Sequence, residues 1–124
     1  MGWASSVVSP PDGDLTDFMV SCEKLRRGNW RILYPGHGAP VTDPAARIGW
    51  LVDHRRARER AILAALAQGA SSPQALAARI YTDVPSRLLP MATRNVLAHL
   101  IDLMGKNLAT PMGDPGEATV FRKV

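Results

Sequence analysis

Residues 31–38 read Arg31-Ile32-Leu33-Tyr34-Pro35-Gly36-His37-Gly38, a short apolar stretch running into a glycine-flanked histidine. The first four have the composition of a strand, and Pro35 and Gly36 end it. A histidine between two glycines sits in a backbone-permissive turn, where a metal ion can reach its ring. A zinc site, however, needs three or four donors from His, Cys, Asp or Glu. The whole chain has three histidines and one cysteine, and no second motif with ligand spacing accompanies the turn. His37 is therefore read as a metal ligand parted from its fellow ligands.

Upstream, Ser9-Pro10-Pro11-Asp12-Gly13-Asp14 is a turn-rich loop in which Asp14 is placed to cap a helix. Leu15, Phe18, Met19, Cys22 and Leu25 then recur at helical spacing, with Gly28 as the expected stop. Cys22 lies on that apolar stripe and reads as a buried structural thiol. One helix and at most two strands are too little to bury a sheet on both faces. Partner strands must come from another part of the protein, from another subunit, or from nowhere.

Downstream, Asp43-Pro44 opens a long helix with Asp as N-cap and Pro at the first helical position. Ile48, Leu51 and Val52 face one core, and Ile62, Leu63 and Leu66 face another. Between them runs the charged stretch Asp53-His54-Arg55-Arg56-Ala57-Arg58-Glu59-Arg60, as in a helix that bridges two packing units. Ser71 or Ser72 caps the next helix from Pro73, which Tyr81 to Pro85 interrupts. A last helix from Leu88 or Pro90 to Met104 ends at Gly105. Two extended segments follow, around residues 108–112 and 118–124, with Gly113-Asp114-Pro115-Gly116 between them. Three helices and a hairpin is the order of a winged helix-turn-helix.

At 124 residues the chain is one ordinary domain or two very small ones. With 46% hydrophobic and 21% charged residues, the composition is that of a globular protein rather than a disordered one. The segment Met1 to Ser6 lacks the basic and apolar regions of a signal peptide, and no apolar run is long enough to span a bilayer. A lone cysteine allows no internal disulfide, so a reducing, cytoplasmic setting is expected. The abundance of Ala, Arg, Pro and Gly suggests a GC-rich bacterial coding sequence. The net charge of +4 favours anionic partners but is too modest to establish nucleic-acid binding.

Several stretches together resemble one family: Met1-Gly2-Trp3, Ser9 to Leu15, Tyr34-Pro35-Gly36-His37-Gly38, and His54-Arg55-Arg56-Ala57-Arg58-Glu59. They are similar to the C-terminal half of metallo-β-lactamase-fold hydrolases, in the β-lactamase-like branch that carries a winged-helix domain. The resemblance extends over essentially the whole chain. It implies an α+β fold: the truncated end of a metallo-β-lactamase αββα sandwich, followed by a mainly helical winged-helix domain with a C-terminal β-hairpin. The divisions it implies are residues 1–43 as the hydrolase remnant, 44–68 as the linker helix and 69–124 as the winged-helix part. Such hydrolases hold two metal ions, usually zinc, through an upstream His-x-His-x-Asp-His motif, a further His and a bridging Asp. His37 matches the last His ligand, and none of the other ligands is present. A two-metal site lowers the pKa of a bridging water and polarises the scissile bond, and one imidazole cannot hold it. The expectation is a zinc-dependent hydrolase when intact and an inactive chain in isolation, with no catalytic residue of its own.

The remaining residues leave alternatives open. Arg55, Arg56, Arg58 and Arg60 form either a phosphate-gripping face or a solvated one braced by local pairs such as Arg55 with Glu59. His54 is expected to pair with an acidic group or a carbonyl at the domain junction. Asn95, His99, Asp102 and Lys106 share one face of the last helix, which fits a docking surface better than a base-reading one. Trp3, Trp30 and Trp50 are expected in cores, with Trp3 alternatively lining the substrate cleft. The competing reading is a self-standing winged-helix module that binds nucleic acid. A third reading joins the two: some members of the branch cleave single-stranded RNA, and Arg55 and Arg58 would then guide the strand. A missing hydrolase portion and a possible homodimer complete the expected partners, and no membrane is among them.

Overall fold

The computed structural model describes residues 6–124, and Trp3 lies outside the described residues. Four α-helices come first: α1 (Leu15–Arg26), α2 (Pro44–Ala67), α3 (Pro73–Ile80) and α4 (Leu89–Gly105), the last entered through a 3₁₀ turn at Ser86–Leu88. Strands β1 (Ala109–Pro111) and β2 (Phe121–Lys123) close the chain. Three helices start on a side-chain cap. The Asp17 N–H donates to Asp14 Oδ1, the Ala46 N–H to Asp43 Oδ1, and the Ala75 N–H to the Ser72 hydroxyl. Pro44 and Pro73 sit where a missing N–H costs nothing.

Helices α3 and α4 cross the end of α2 and enclose one core. Ile62 and Leu66 from α2, Leu76 from α3, and Val96, Leu100 and Leu103 from α4 meet there with Ala109 and Phe121 of the strands. Phe121 is wholly buried, and burying a ring of that size stabilises a fold by about 2–3 kcal/mol. β1 and β2 pair antiparallel, with Thr110 opposite Arg122. Ser71 and Phe121 exchange two further backbone hydrogen bonds, which tie the loop before α3 to β2. The helices and hairpin thus take the winged-helix order expected from the spacing.

The N-terminal part packs on the other side of the same helices. Val8 and Leu15 join Ala98 of α4, flanked by Phe18 and Met19. Cys22, Ile48, Leu51 and Val52 are buried, as the two apolar stripes require.

Four expectations are corrected here. The strand over residues 31–34 is a single antiparallel bridge, Leu33 with Val41, because no partner strand exists among the described residues. Trp30 and Trp50 are about half exposed instead of lying in a core. Gly28 does not stop α1 through a left-handed backbone. A Cβ there would lie 2.4 Å from the Trp30 indole, whose N–H donates to the Leu25 carbonyl, so what position 28 needs is room. The stop of α4 is likewise not Gly105 but Asn107, at φ 57°. The Leu108 N–H donates to the Leu103 carbonyl and the Asn107 N–H to that of Met104, a Schellman closure with Asn at the left-handed position.

Candidate functional site

The His37 turn is built from a short backbone clamp. Leu33 and Val41 each donate an N–H to the other's carbonyl, at 3.1 and 2.8 Å, which closes residues 34–40 into a loop. Gly38 adopts φ 93°, a conformation costly for a side-chain-bearing residue, so the sequence at that position permits the turn. His37 is exposed in it. Nothing among the described residues gathers three or more His, Cys, Asp or Glu side chains into a metal-holding group. The loop's neighbours in sequence are exposed apolar side chains: Trp30 is 47% exposed, Ile32 44% and Tyr34 78%. An imidazole and three large apolar side chains within residues 30–37 are therefore exposed.

Helix α2 carries a second set of groups on one face. Residues 47, 50, 54 and 58 recur at spacings of three and four, which align them along the helix. The Arg47 guanidinium lies 4.6 Å from the Trp50 ring centroid, and the Trp50 and His54 rings stack at 4.9 Å and 15°. Arg58 sits 4.3 Å from the centroid of the Tyr81 ring and donates to the Ile80 carbonyl. His54 thus stacks on an indole, where pairing with an acid or a carbonyl had been expected. Burial, then the Arg58 and Arg55 charges, lower its pKa.

Arg55 points the other way. It is 2% exposed; its Nη1 donates to Asn95 Oδ1 at 3.1 Å, its Nη2 to the Ser6 carbonyl, and its guanidinium lies over the Phe18 ring. The same Asn95 oxygen accepts the Val8 N–H. An arginine so committed holds α2, α4 and the N-terminal segment together and offers no face to a strand of RNA within this chain. Nor does it pair with Glu59. That carboxylate accepts from Lys106 at 2.6 Å, and Lys106 also reaches Asp102 at 2.7 Å. Asp102 in turn accepts the Thr16 hydroxyl at 2.6 Å. Burial works against the Lys106 charge, but the hydrogen bonds to Asp102 and Glu59 outweigh it and raise the pKa.

The Asn95–His99–Asp102–Lys106 face is accordingly docked against α1 and α2. His99, at its centre, is 1% exposed, and neither ring nitrogen has a hydrogen-bond partner. Burial, reinforced by the Arg55 charge, lowers its pKa to about 3, so the ring is neutral. Residue spacing along α2 could have revealed the Arg47–Trp50–His54 row. The Arg58–Tyr81 contact and the Thr16–Asp102–Lys106–Glu59 chain link distant segments and carry no local signal.

A winged helix packs on a helical layer, and a glycine-flanked histidine lies exposed in the clamped loop 34–40. Residues 72–114 match the family model of the β-lactamase associated winged helix domain. The chain is 33% identical over 93 residues to the "Beta-lactamase-like protein 2 homolog" of Drosophila melanogaster, covering 73% of this chain and 32% of that protein. It is 29% identical over 100 residues to the atrochrysone carboxyl ACP thioesterase of Aspergillus fumigatus, covering 68% of this chain and 32% of that protein. Among solved structures, a metallo-β-lactamase family protein from Thermus thermophilus superposes with TM-score 0.73 at 27% identity, over 89% of this chain and 33% of that one. A β-lactamase domain protein from Burkholderia ambifaria does so with TM-score 0.77 at 20% identity, over the same shares, which speaks to the fold alone. The chain is thus similar to part of β-lactamase-like and metallo-β-lactamase-fold proteins, and it spans about a third of those relatives' length. No helix among the described residues is long and apolar enough to cross a membrane.

Proposed function

We propose that this chain is the C-terminal part of a metal-dependent hydrolase of the metallo-β-lactamase fold, in which His37 supplies one metal ligand. The observation that carries the reading is the clamped loop 34–40, which holds an exposed imidazole beside the exposed side chains of Trp30, Ile32 and Tyr34. Metallo-β-lactamase-fold relatives usually bind zinc, and the described residues do not fit that ion by themselves, since a single imidazole falls short of a closed or open zinc site. The remaining donors belong to the portion that the relatives have and these residues lack. Residues 1–43 then complete the hydrolase domain, 44–68 link it, and 69–124 form the accessory winged helix. The Aspergillus fumigatus relative is a thioesterase, which favours acyl transfer to water as the reaction class.

The reading is tested on both forms of the protein. The 124-residue chain with added zinc should turn over no phosphodiester, thioester or β-lactam substrate. The longer protein that includes the upstream portion should hydrolyse one of them and lose about half its zinc on His37→Ala. Turnover by the short chain, or unchanged zinc in the variant, refutes the assignment.

The Arg47–Trp50–His54 row and the Arg58–Tyr81 pair favour a second reading, in which this part guides a nucleic-acid strand. Exposed rings stack on bases irrespective of sequence, and arginines beside them attract the backbone. Trp50→Ala together with Arg58→Glu should then abolish salt-dependent binding of single-stranded RNA. Binding that survives both changes removes this reading.

A further inference from the structure

The β1–β2 hairpin has two unlike faces. Its ladder pairs Ala109 with Lys123, Thr110 with Arg122 and Pro111 with Phe121. The Met112 N–H donates to the Val120 carbonyl and the Val124 N–H to the Leu108 carbonyl, which extends the ladder by one pair at each end. Side chains alternate across a strand. Ala109 and Phe121 turn into the core and are buried, so Leu108, Thr110, Met112, Val120, Arg122 and Val124 share the outer face. Four of them are large and apolar. Met112 is 67% exposed and Val124 70%, and Leu108 and Val120 are each 38%. An antiparallel sheet seated on a core ordinarily turns polar side chains to water on its other side.

The edges of the hairpin are closed to a further strand. Pro111 has no N–H to offer along the outer edge of β1, and Ser71 already takes both backbone groups of Phe121 on the free edge of β2. An occupant therefore lies on the face. The face is its own complement. A two-fold axis running between the strands, and parallel to them, lays each residue over its own cross-strand partner in a second copy. Leu108 then meets Val124, Met112 meets Val120, and the Arg122 guanidinium meets the Thr110 hydroxyl, which can accept from it. Two sheets packed this way lie about 10 Å apart, the usual spacing of stacked faces.

We propose that the outer face of this hairpin is a self-association surface, on which a second copy of the chain docks about a two-fold axis. Such an isologous contact closes at two copies and builds no fibre. The hairpin offers six residues a side, against about 20–30 in a standard interface, so the dimer is weak and reversible. Its dissociation constant is on the order of 0.1–1 mM.

The test is sedimentation equilibrium of the full chain across the micromolar to millimolar range. The data should fit a monomer–dimer equilibrium. Met112→Lys places a charge against Val120 of the second copy and should weaken dimerisation by roughly ten-fold or more, with an unchanged melting temperature because the side chain is exposed. Tyr34→Lys alters the separate exposed patch at residues 30–34 and should leave the equilibrium as it is. Added salt should leave dimerisation unchanged or strengthen it, since it screens the two Arg122 side chains from each other; a nucleic-acid strand on the same face would be weakened. His37→Ala should have no effect, so the outcome is independent of the metal-ligand assignment. A chain that stays monomeric at millimolar concentration overturns the proposal, as does a dimer that survives Met112→Lys or is lost on Tyr34→Lys. Association that requires added RNA overturns it too, and so does a longer protein that remains monomeric where this chain dimerises.

Discussion

The Arg55 guanidinium reaches three segments at once, and its two hydrogen-bonded Nη atoms hold the Asn95 side chain and the Ser6 carbonyl. Removing a buried charged donor loses bonds worth about 1.5–3 kcal/mol each and leaves their acceptors unsatisfied. Arg55→Ala should therefore lower the unfolding free energy by about 3 kcal/mol in urea titrations. Arg58→Ala, which forfeits a part-buried cation–π contact and a hydrogen bond to the Ile80 carbonyl, should cost about 1–2 kcal/mol. Equal losses at the two positions would contradict the burial difference. His99 gives a pH signature. Its ring is neutral in the native state down to about pH 3, whereas in the unfolded chain it takes a proton below its ordinary value of 6.5. The unfolded state thus binds more protons through that window, and stability is complete above it and falls as the pH drops, by up to about 1.4 kcal/mol per unit. His99→Met should flatten this acid slope between about pH 6 and 4 in denaturation curves measured at several pH values. The change also removes two unpaired nitrogens, so stability at neutral pH should hold or rise.

At the scale of single elements, the helix boundaries were legible where a local rule fixes them. Asp14, Asp43 and Ser72 cap as their side chains dictate, each needing only a backbone N–H three residues on. Asp43→Ala should cost about 1 kcal/mol and fray the start of α2, seen as faster amide exchange over its first turn. The C-terminal ends were less legible. Gly28 and Gly105 carried the usual signal for a stop, but the first accommodates the Trp30 ring and the second stays helical, with Asn107 taking the left-handed turn. An L-residue with a branched side chain is strained at φ 57°, so Asn107→Val should destabilise by about 1–2 kcal/mol, while Asn107→Gly should be neutral within about 0.5 kcal/mol. The strand expected over residues 31–34 shows the opposite limit. Its composition is right, yet a strand exists through its partner, and the described residues offer Leu33 a single bridge.

For the whole molecule, the N-terminal segment and the winged helix act as one packed body. The Val8–Leu15–Ala98 cluster, the Arg55–Asn95 bond and the Thr16–Asp102–Lys106–Glu59 chain all cross between them. Unfolding should therefore be a single transition, with near- and far-ultraviolet circular dichroism coincident; two separated transitions would show that the halves are independent. Asp102→Ala strips partners from both Thr16 and Lys106 and should lower the midpoint of that common transition rather than split it. The sequence by itself determined the helices, their caps, the winged-helix order and the glycine-flanked turn at His37, because periodicity, capping and turn chemistry act within a few residues. Only the tertiary structure decided that Arg55 is an internal tie, that Arg58 packs part-buried on Tyr81, and that His99 sits unpaired beside a cleft. Those outcomes depend on groups up to 87 residues apart in the chain, as in the bond from Val8 to Asn95, and no local pattern encodes such a meeting.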